Sequence, residues 1–310
     1  MSSLLGHVLP GIGFFVIGLW HLFNHIKLHA QYPISYISTP WFPTSRFKYL
    51  EHFFIIGGSC ASIAMELFIG PVRHQPLDPD GTIPSNHLHN FEHSSISMTL
   101  LVYATFAILL DRIGTRAQYG LTLFLVATAF AQELLLFHFH STDHIGPEGQ
   151  YHLLLQFLIF VSLATTLLGI GLPKSFLVSF IRSASILFQG IWLMVMGVML
   201  WTPELIPKGC SIHLEYGRKV VGCSGDEARH RAKSLVNILF SWFLIAITIF
   251  VVSFYLFMVK AYSEKVEYGS LKREEEHGED SDDVELESQK KGKLGYSKSF
   301  IQMERTLFTP

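Results

Sequence analysis

The chain has 310 residues, 49% hydrophobic and only 15% charged, against about 25% charged in an average soluble domain. Its net charge of −2 gives no basic excess, and nucleic acid is not among the expected partners. A soluble helical bundle would need polar faces at a period of 3.6 residues, and runs such as "IFVVSFYLFMV" (249–259) offer none.

Runs of about 20 apolar residues mark candidate membrane spans. In chain order they are Val8–Ile26, Tyr49–Ile69, Phe91–Leu110, Tyr119–Phe139, Tyr151–Leu172, Ser183–Trp201 and Leu235–Val259. The expected fold is therefore an all-α membrane protein, a bundle of seven transmembrane helices over residues 1–260, in contact with lipid. The start "MSSLLGHVLPG" lacks a positive n-region, so the first span is expected to remain as an anchor.

Span one carries His21, His25 and His29 at its end, in the i, i+4, i+8 rhythm, and Glu51–His52 open span two. Lys27 nearby fits an ordinary interfacial edge, so this group reads as mainly structural. The loop "PTSRFKYLE" offers Thr44 or Ser45 as an N-cap for span two. Glycines in "GHVLPGIGFFVIG" and "FIIGGSCAS" supply small faces where helices approach closely. Cys60 reads as inert packing within its span. Gln189, deep in span six, needs a hydrogen-bond partner, with Asn237 or Ser241 of span seven as candidates. Trp41, Trp192 and Trp201 read as core or interfacial aromatics.

The stretch "QELLLFHFHSTDHIGPEGQYH" (132–152) concentrates four histidines between spans four and five. The alternation of seven spans brings it to the same membrane level as Glu66, His87, His89, Glu92 and His93. Glu133 and His140 are about two turns apart and share a stripe, whereas His138 is turned from Glu133 by roughly 140°. His89 and His93 share a face of span three, and His152 opens span five. His93, Glu133, His140 and His152 are thus candidate ligands for a metal, zinc or iron, with His89, His138 and His144 as possible further ligands. Hydrogen bonding to lipid headgroups, water or loop carbonyls, and a pH-sensitive cluster, stay open as alternatives.

Lys and Arg near the span ends set orientation. Lys27, Arg46, Lys48, Arg112, Arg116, Lys174, Arg182, Lys260 and Lys265 gather on one side. Arg73 and the loop with Lys208, Arg218, Lys219, Arg229, Arg231 and Lys233 occupy the other. The expected placement is N-terminus lumenal or outside and C-terminus cytosolic, in endomembranes or the plasma membrane. Cys210 and Cys223 lie in a loop on the lumenal side, where a disulfide could persist. Residues 261–310, with "EEEHGEDSDDVELESQKKGK", read as a disordered, charged cytosolic tail. Within it Tyr268–Leu271, "YGSL", has the form of a tyrosine-based sorting motif for cytosolic trafficking partners, alongside the plainer reading of an exposed tail tyrosine.

"GHVLPG", "EHSSISM" (Glu92–Met98), "QELLLFHFH" followed by "HLLL", and "RSASILFQGIWLMVMG" (Arg182–Gly197) resemble the transmembrane protein 45 family of seven-span eukaryotic proteins. The resemblance covers about residues 1–260. It implies a polytopic protein of endomembranes or the plasma membrane, with a link to stress or antiviral responses in some members, and supplies no reaction or ligand set. His7, His93, Glu133, His140 and His152 match recurring positions of that family. Seven-span hydrolases that hold zinc through H-x-x-x-H on the last span differ, because span seven here contains no histidine. Three readings follow: a metal-dependent membrane enzyme (lipid hydrolase or oxidoreductase), a transporter of metal ions or protons, and a noncatalytic scaffold or trafficking component acting through the tail.

Overall fold

The computed structural model describes residues 4–71, 74–141, 146–215 and 218–278. Seven helices in it are long and apolar enough to cross a membrane. They are α1 (Leu4–Gln31), α2 (Leu50–Ala64), α3 (Leu88–Ile113), α4 (Gln118–Ser141), α5 (Pro147–Gly171), α6 (Phe176–Trp201) and α7 (Asp226–Gly278). Alternating helix direction gives the bundle two ends. The amino-terminal end holds the start of α1; the opposite end holds the α1–α2, α3–α4 and α5–α6 connections.

Contacts run α1 to α6, α6 to α5, α5 to α4, α4 to α3 and α3 to α2, with α2 meeting α1 again more sparsely. The six form a nearly closed ring. α7 lies outside it: Phe240 stacks on Phe188 and meets Trp192 edge-on, while Val251 and Met258 join Leu22 and Ile26 of α1. Trp242 and Phe257 on the other face of α7 are 66% and 68% exposed, a surface that lipid covers at no desolvation cost.

The tightest seam is α1 against α6, and small residues set it. Gly11 and Gly18 recur at a spacing of seven, as do Gly190 and Gly197, so each pair makes one stripe. A Cβ on Gly190 would strike the backbone of Phe15, and one on Gly18 the backbone of Leu187. The glycines of "FIIGGSCAS" behave otherwise than the sequence suggested. Gly57 and Gly58 have nothing within 4 Å of an added Cβ, and Cys60 beside them is exposed rather than packed.

Other boundaries also differ. α2 begins after Tyr49 with no side-chain cap, and Thr44 instead closes a turn, its hydroxyl donating to the Phe47 carbonyl at 2.7 Å. α2 ends in a π-helical turn, Met65–Ile69, which carries Glu66. α6 begins at Phe176, its first turn capped by the Ser175 hydroxyl, which accepts from Val178 N. The span expected from Ser183 therefore starts two turns earlier, and Arg182 is no loop charge but lies inside the bundle, 2% exposed. The helical backbone of α7 is described to Gly278; most of the charged tail expected from residue 261, 279–310, lies outside the described residues. The chain divides into a unit ending at Glu264 and a second from Lys265. The backbone of Tyr268–Leu271 is helical, their side chains lie outside the described residues, and so does 279–310.

A clamp closes the opposite end. Asp111 at the end of α3 accepts from the Tyr49 hydroxyl at 2.6 Å and from Gln118 Nε2 at 3.0 Å, and pairs with Lys48. That contact holds the Lys48 ammonium above the usual lysine range. At the amino-terminal end β1 (Cys210–Glu215) and β2 (Arg218–Cys223) form an antiparallel hairpin with Cys210 opposite Cys223, joined as a disulfide. Val221 is buried beneath it, and its backbone hydrogen-bonds Glu148 in the first turn of α5. Cys210→Ser/Cys223→Ser should cost about 3 kcal/mol of hairpin stability, as expected for a loop of this length. Limited proteolysis should then cut within 210–223 in the variant well before the wild type; equal rates would refute the estimate.

Candidate functional site

Polar side chains inside the ring form two groups, one near each end. The group at the amino-terminal end contains the expected metal ligands, and packing hands them to different partners. Glu133, 3% exposed on α4, accepts from Gln189 Nε2 of α6 at 2.6 Å. Gln189 thus pairs across the bundle and not with Asn237 or Ser241, because α7 lies on the outer face of α6; Asn237 accepts from Gln150 instead. His93 on α3 donates to Glu66 of α2 at 3.4 Å, and Asn90 donates to the other Glu66 oxygen at 2.8 Å. The His89 ring sits 4.1 Å from that of His93, with its Nδ1 3.9 Å from Glu92.

His152 donates to the Glu148 carbonyl at 3.0 Å and lies against Phe137 and His7. His138 donates to Gln156 at 3.1 Å. The side chain of His140, and the whole of His144, lie outside the described residues. Among the described residues, no group of three or more His, Cys, Asp or Glu is placed to hold a metal ion. The sequence placed these residues at one membrane level; which way each helix turns them is a separate matter, and Glu133, His93 and His152 face α6, α2 and the α1 side respectively.

The second group, read from sequence as mainly structural, is the denser. α1 contributes His21 and His25, α2 Glu51 and His52, α3 Tyr103, α4 Tyr119 and α6 Ser179 and Arg182. The α1–α2 connection folds inward over them. Tyr36, Ser38, Trp41 and Phe42 in it are buried, Ser38 N donates to the Pro173 carbonyl at 2.7 Å, and Ser38 Oγ accepts from Ser179 at 2.9 Å.

Hydrogen bonding fixes several roles. Guanidinium groups only donate, so Arg182 Nη2, 3.4 Å from His25 Nε2, makes that nitrogen an acceptor. His25 is then the Nδ1–H tautomer and donates to the Tyr36 oxygen at 2.8 Å. Burial pushes the Tyr36 phenol up, which keeps it a hydroxyl at neutral pH. His21 Nε2 donates to Glu51 Oε1 at 2.7 Å, and Phe42 N donates to Oε2 at 3.2 Å. Both Glu51 oxygens are thus engaged. His52, fully buried, has neither ring nitrogen hydrogen-bonded and stands edge-on to Trp41 at 4.8 Å.

Arg182 is the anomaly. Among the described residues no carboxylate lies within ion-pair distance of it, and its Nη1 is buried without a partner. Glu51 acts on it only through space. An unmatched cationic donor inside a bundle is expensive and in membranes marks function more often than packing. From Arg182 the inner face of α6 continues through Ser185, which meets Ser162 of α5 at 2.8 Å, to Gln189 and Glu133. Residues 182, 185 and 189 follow helical spacing, so one polar stripe runs from the opposite end to mid-bundle.

That stripe was legible in "RSASILFQ", but a hydropathy window that stops at a charge assigns Arg182 to the loop. Tyr36 and its neighbours gave no signal beyond an aromatic-rich connection. Residues 119–256 match a family of unknown function (DUF716); the match begins within α4, takes in Glu133, Arg182 and Gln189, and leaves α1 to α3 outside it.

Proposed function

We propose that the chain is a multi-pass membrane protein related to the transmembrane protein 45 family, working as a membrane-embedded binding protein for a small polar ligand held within the helical ring. The observation that carries this reading is Arg182, buried to 2% exposure with Nη1 unpartnered and no carboxylate in contact. A purely structural arginine at this depth would be expected to end on a carboxylate. The metal reading, zinc or iron at His93, Glu133, His140 and His152, turns on His140, whose side chain lies outside the described residues. A hydrolase or oxidoreductase activity, and a scaffold role through residues 261–310, have less behind them than the polar interior.

The placement we propose is N-terminus lumenal or outside and C-terminus cytosolic, in endomembranes or the plasma membrane, with a stress- or defence-related setting suggested by the resemblance. Moving Arg182 out of the loop count leaves Lys27, Arg46, Lys48, Arg112, Arg116 and Lys174 on the opposite end, still the basic side of the short connections. The disulfide-bearing hairpin lies at the amino-terminal end, which suits an oxidising compartment.

The test is native mass spectrometry of the full chain purified in mild detergent, wild type beside Arg182→Gln. The wild type should carry a small molecule in near-stoichiometric amount that the variant loses, with His152→Ala retaining it. Identical complements in wild type and Arg182→Gln would refute the proposal.

A further inference from the structure

The two ends of the bundle differ in what stands beside their exposed apolar side chains. At the opposite end Phe47 lies between Arg46 and Lys48, Ile113 between Arg112 and Arg116, and Lys174 between Leu172 and Leu177; each of these four apolar side chains is more than half exposed. At the amino-terminal end the neighbours are acids. Exposed Leu77 precedes Asp78, Leu205 follows Glu204 and Leu214 precedes Glu215.

The cations of the opposite end also lack acids of their own. Lys48 pairs with Asp111. Arg46, Arg112, Arg116 and Lys174 are exposed, and among the described residues none of them is in an ion pair. Glu51 offers them nothing, being buried with both oxygens engaged.

Chain length fixes the height of these residues. The α3–α4 and α5–α6 connections are residues 114–117 and 172–175, and a stretch of that length spans at most about 14 Å. A turn so short between two membrane-spanning helices stays within reach of lipid head groups. At that level an apolar side chain enters the acyl boundary while a neighbouring lysine or arginine extends to phosphate. A soluble acidic partner would meet the cations but not require the apolar side chains; a bilayer uses both.

We propose that these three connections form a collar that binds anionic phospholipid head groups in preference to zwitterionic ones. Arg46, Arg116 and Lys174 take the phosphates, and Phe47, Ile113 and Leu177 seat in the boundary beside them. The collar is separate from the interior binding site and does not depend on Arg182. Basic span ends orient a chain during insertion; lipid preference in the folded state is a further property. The cytosolic leaflet is the anionic one, which agrees with the placement proposed above.

Thermal unfolding of the full chain in nanodiscs tests this. The bilayer would be phosphatidylcholine alone or phosphatidylcholine with phosphatidylserine, at low and high salt. Phosphatidylserine should raise the wild-type Tm by several degrees, by mass action, and salt should shrink the rise. Arg46→Gln/Arg116→Gln/Lys174→Gln should match the wild-type Tm in phosphatidylcholine and lose most of the rise; Arg116→Gln/Lys174→Gln stands in if the triple variant does not fold. Phe47→Ser/Ile113→Ser keeps every charge and should keep only part of the rise. Lys208→Gln/Arg231→Gln, at the amino-terminal end, should keep all of it. No rise in the wild type, an undiminished rise in the triple variant, or an equal loss in the Lys208/Arg231 variant overturns the proposal. So does a polyglutamate peptide that stabilises the wild type in phosphatidylcholine as much as phosphatidylserine does, which would name an acidic protein partner instead.

Discussion

Gly190→Ala should unseat α1 from α6 and cost the bundle at least about 3 kcal/mol, at the upper end of overpacking effects. The added methyl would meet the amide nitrogen of Phe15 and the carbonyl of Gly11, and backbone cannot rotate away as a side chain does. Gly57→Ala is the matched control. It sits in α2 with open space around it, so alanine should be neutral or stabilise by up to about 1 kcal/mol through helix propensity. Thermal or denaturant unfolding of the purified chain in one detergent compares them directly. Tm values within two degrees or so of each other would show that the α1–α6 seam tolerates separation, and the packing account of that seam would have to be given up.

Glu51→Leu is the second large effect. It removes the acceptor of both His21 Nε2 and the Phe42 amide and takes away a carboxylate that offsets Arg182 through space. Breaking a buried charge arrangement by removing one member costs about 3–5 kcal/mol, because the remaining members stay buried and unmatched. Arg182→Met in the same chain should recover part of that loss, since a methionine needs no counter-charge. The double variant is therefore expected to be more stable than the sum of the single losses allows, with a coupling of about 1 kcal/mol or more. Strict additivity in unfolding midpoints would mean that Glu51 and Arg182 do not share one electrostatic environment.

Much of the architecture could be read from the chain because apolar length is a sufficient signal for a membrane helix. The seven expected spans each fall on one of the seven helices, with errors at the ends where charged or polar residues are helical: Arg182 in α6, Leu88–Asn90 in α3, Asp226–Ser234 in α7. Of the glycines singled out, Gly11 and Gly18 lie at a close approach, whereas Gly13, Gly57 and Gly58 do not, since sequence gives the small residue without saying whether a neighbour approaches. The same gap separates the two histidine groups. Spacing grouped His93, Glu133 and His152; the rotation that sends Glu133 to Gln189 and His93 to Glu66 depends on helix packing. His21 and His25 looked peripheral because their main companions, Tyr36 and Phe42, come from a connection with no periodicity to read.

The α1–α2 connection has a consequence for how anything reaches the interior from the opposite end. Tyr36 is held by His25, Phe42 by Glu51, and Ser38 by Pro173 and Ser179. The segment is thus a stopper: the groups that fasten it, the His25 imidazole and the Glu51 carboxylate, are the ones it covers, and Arg182 is held behind them by His25.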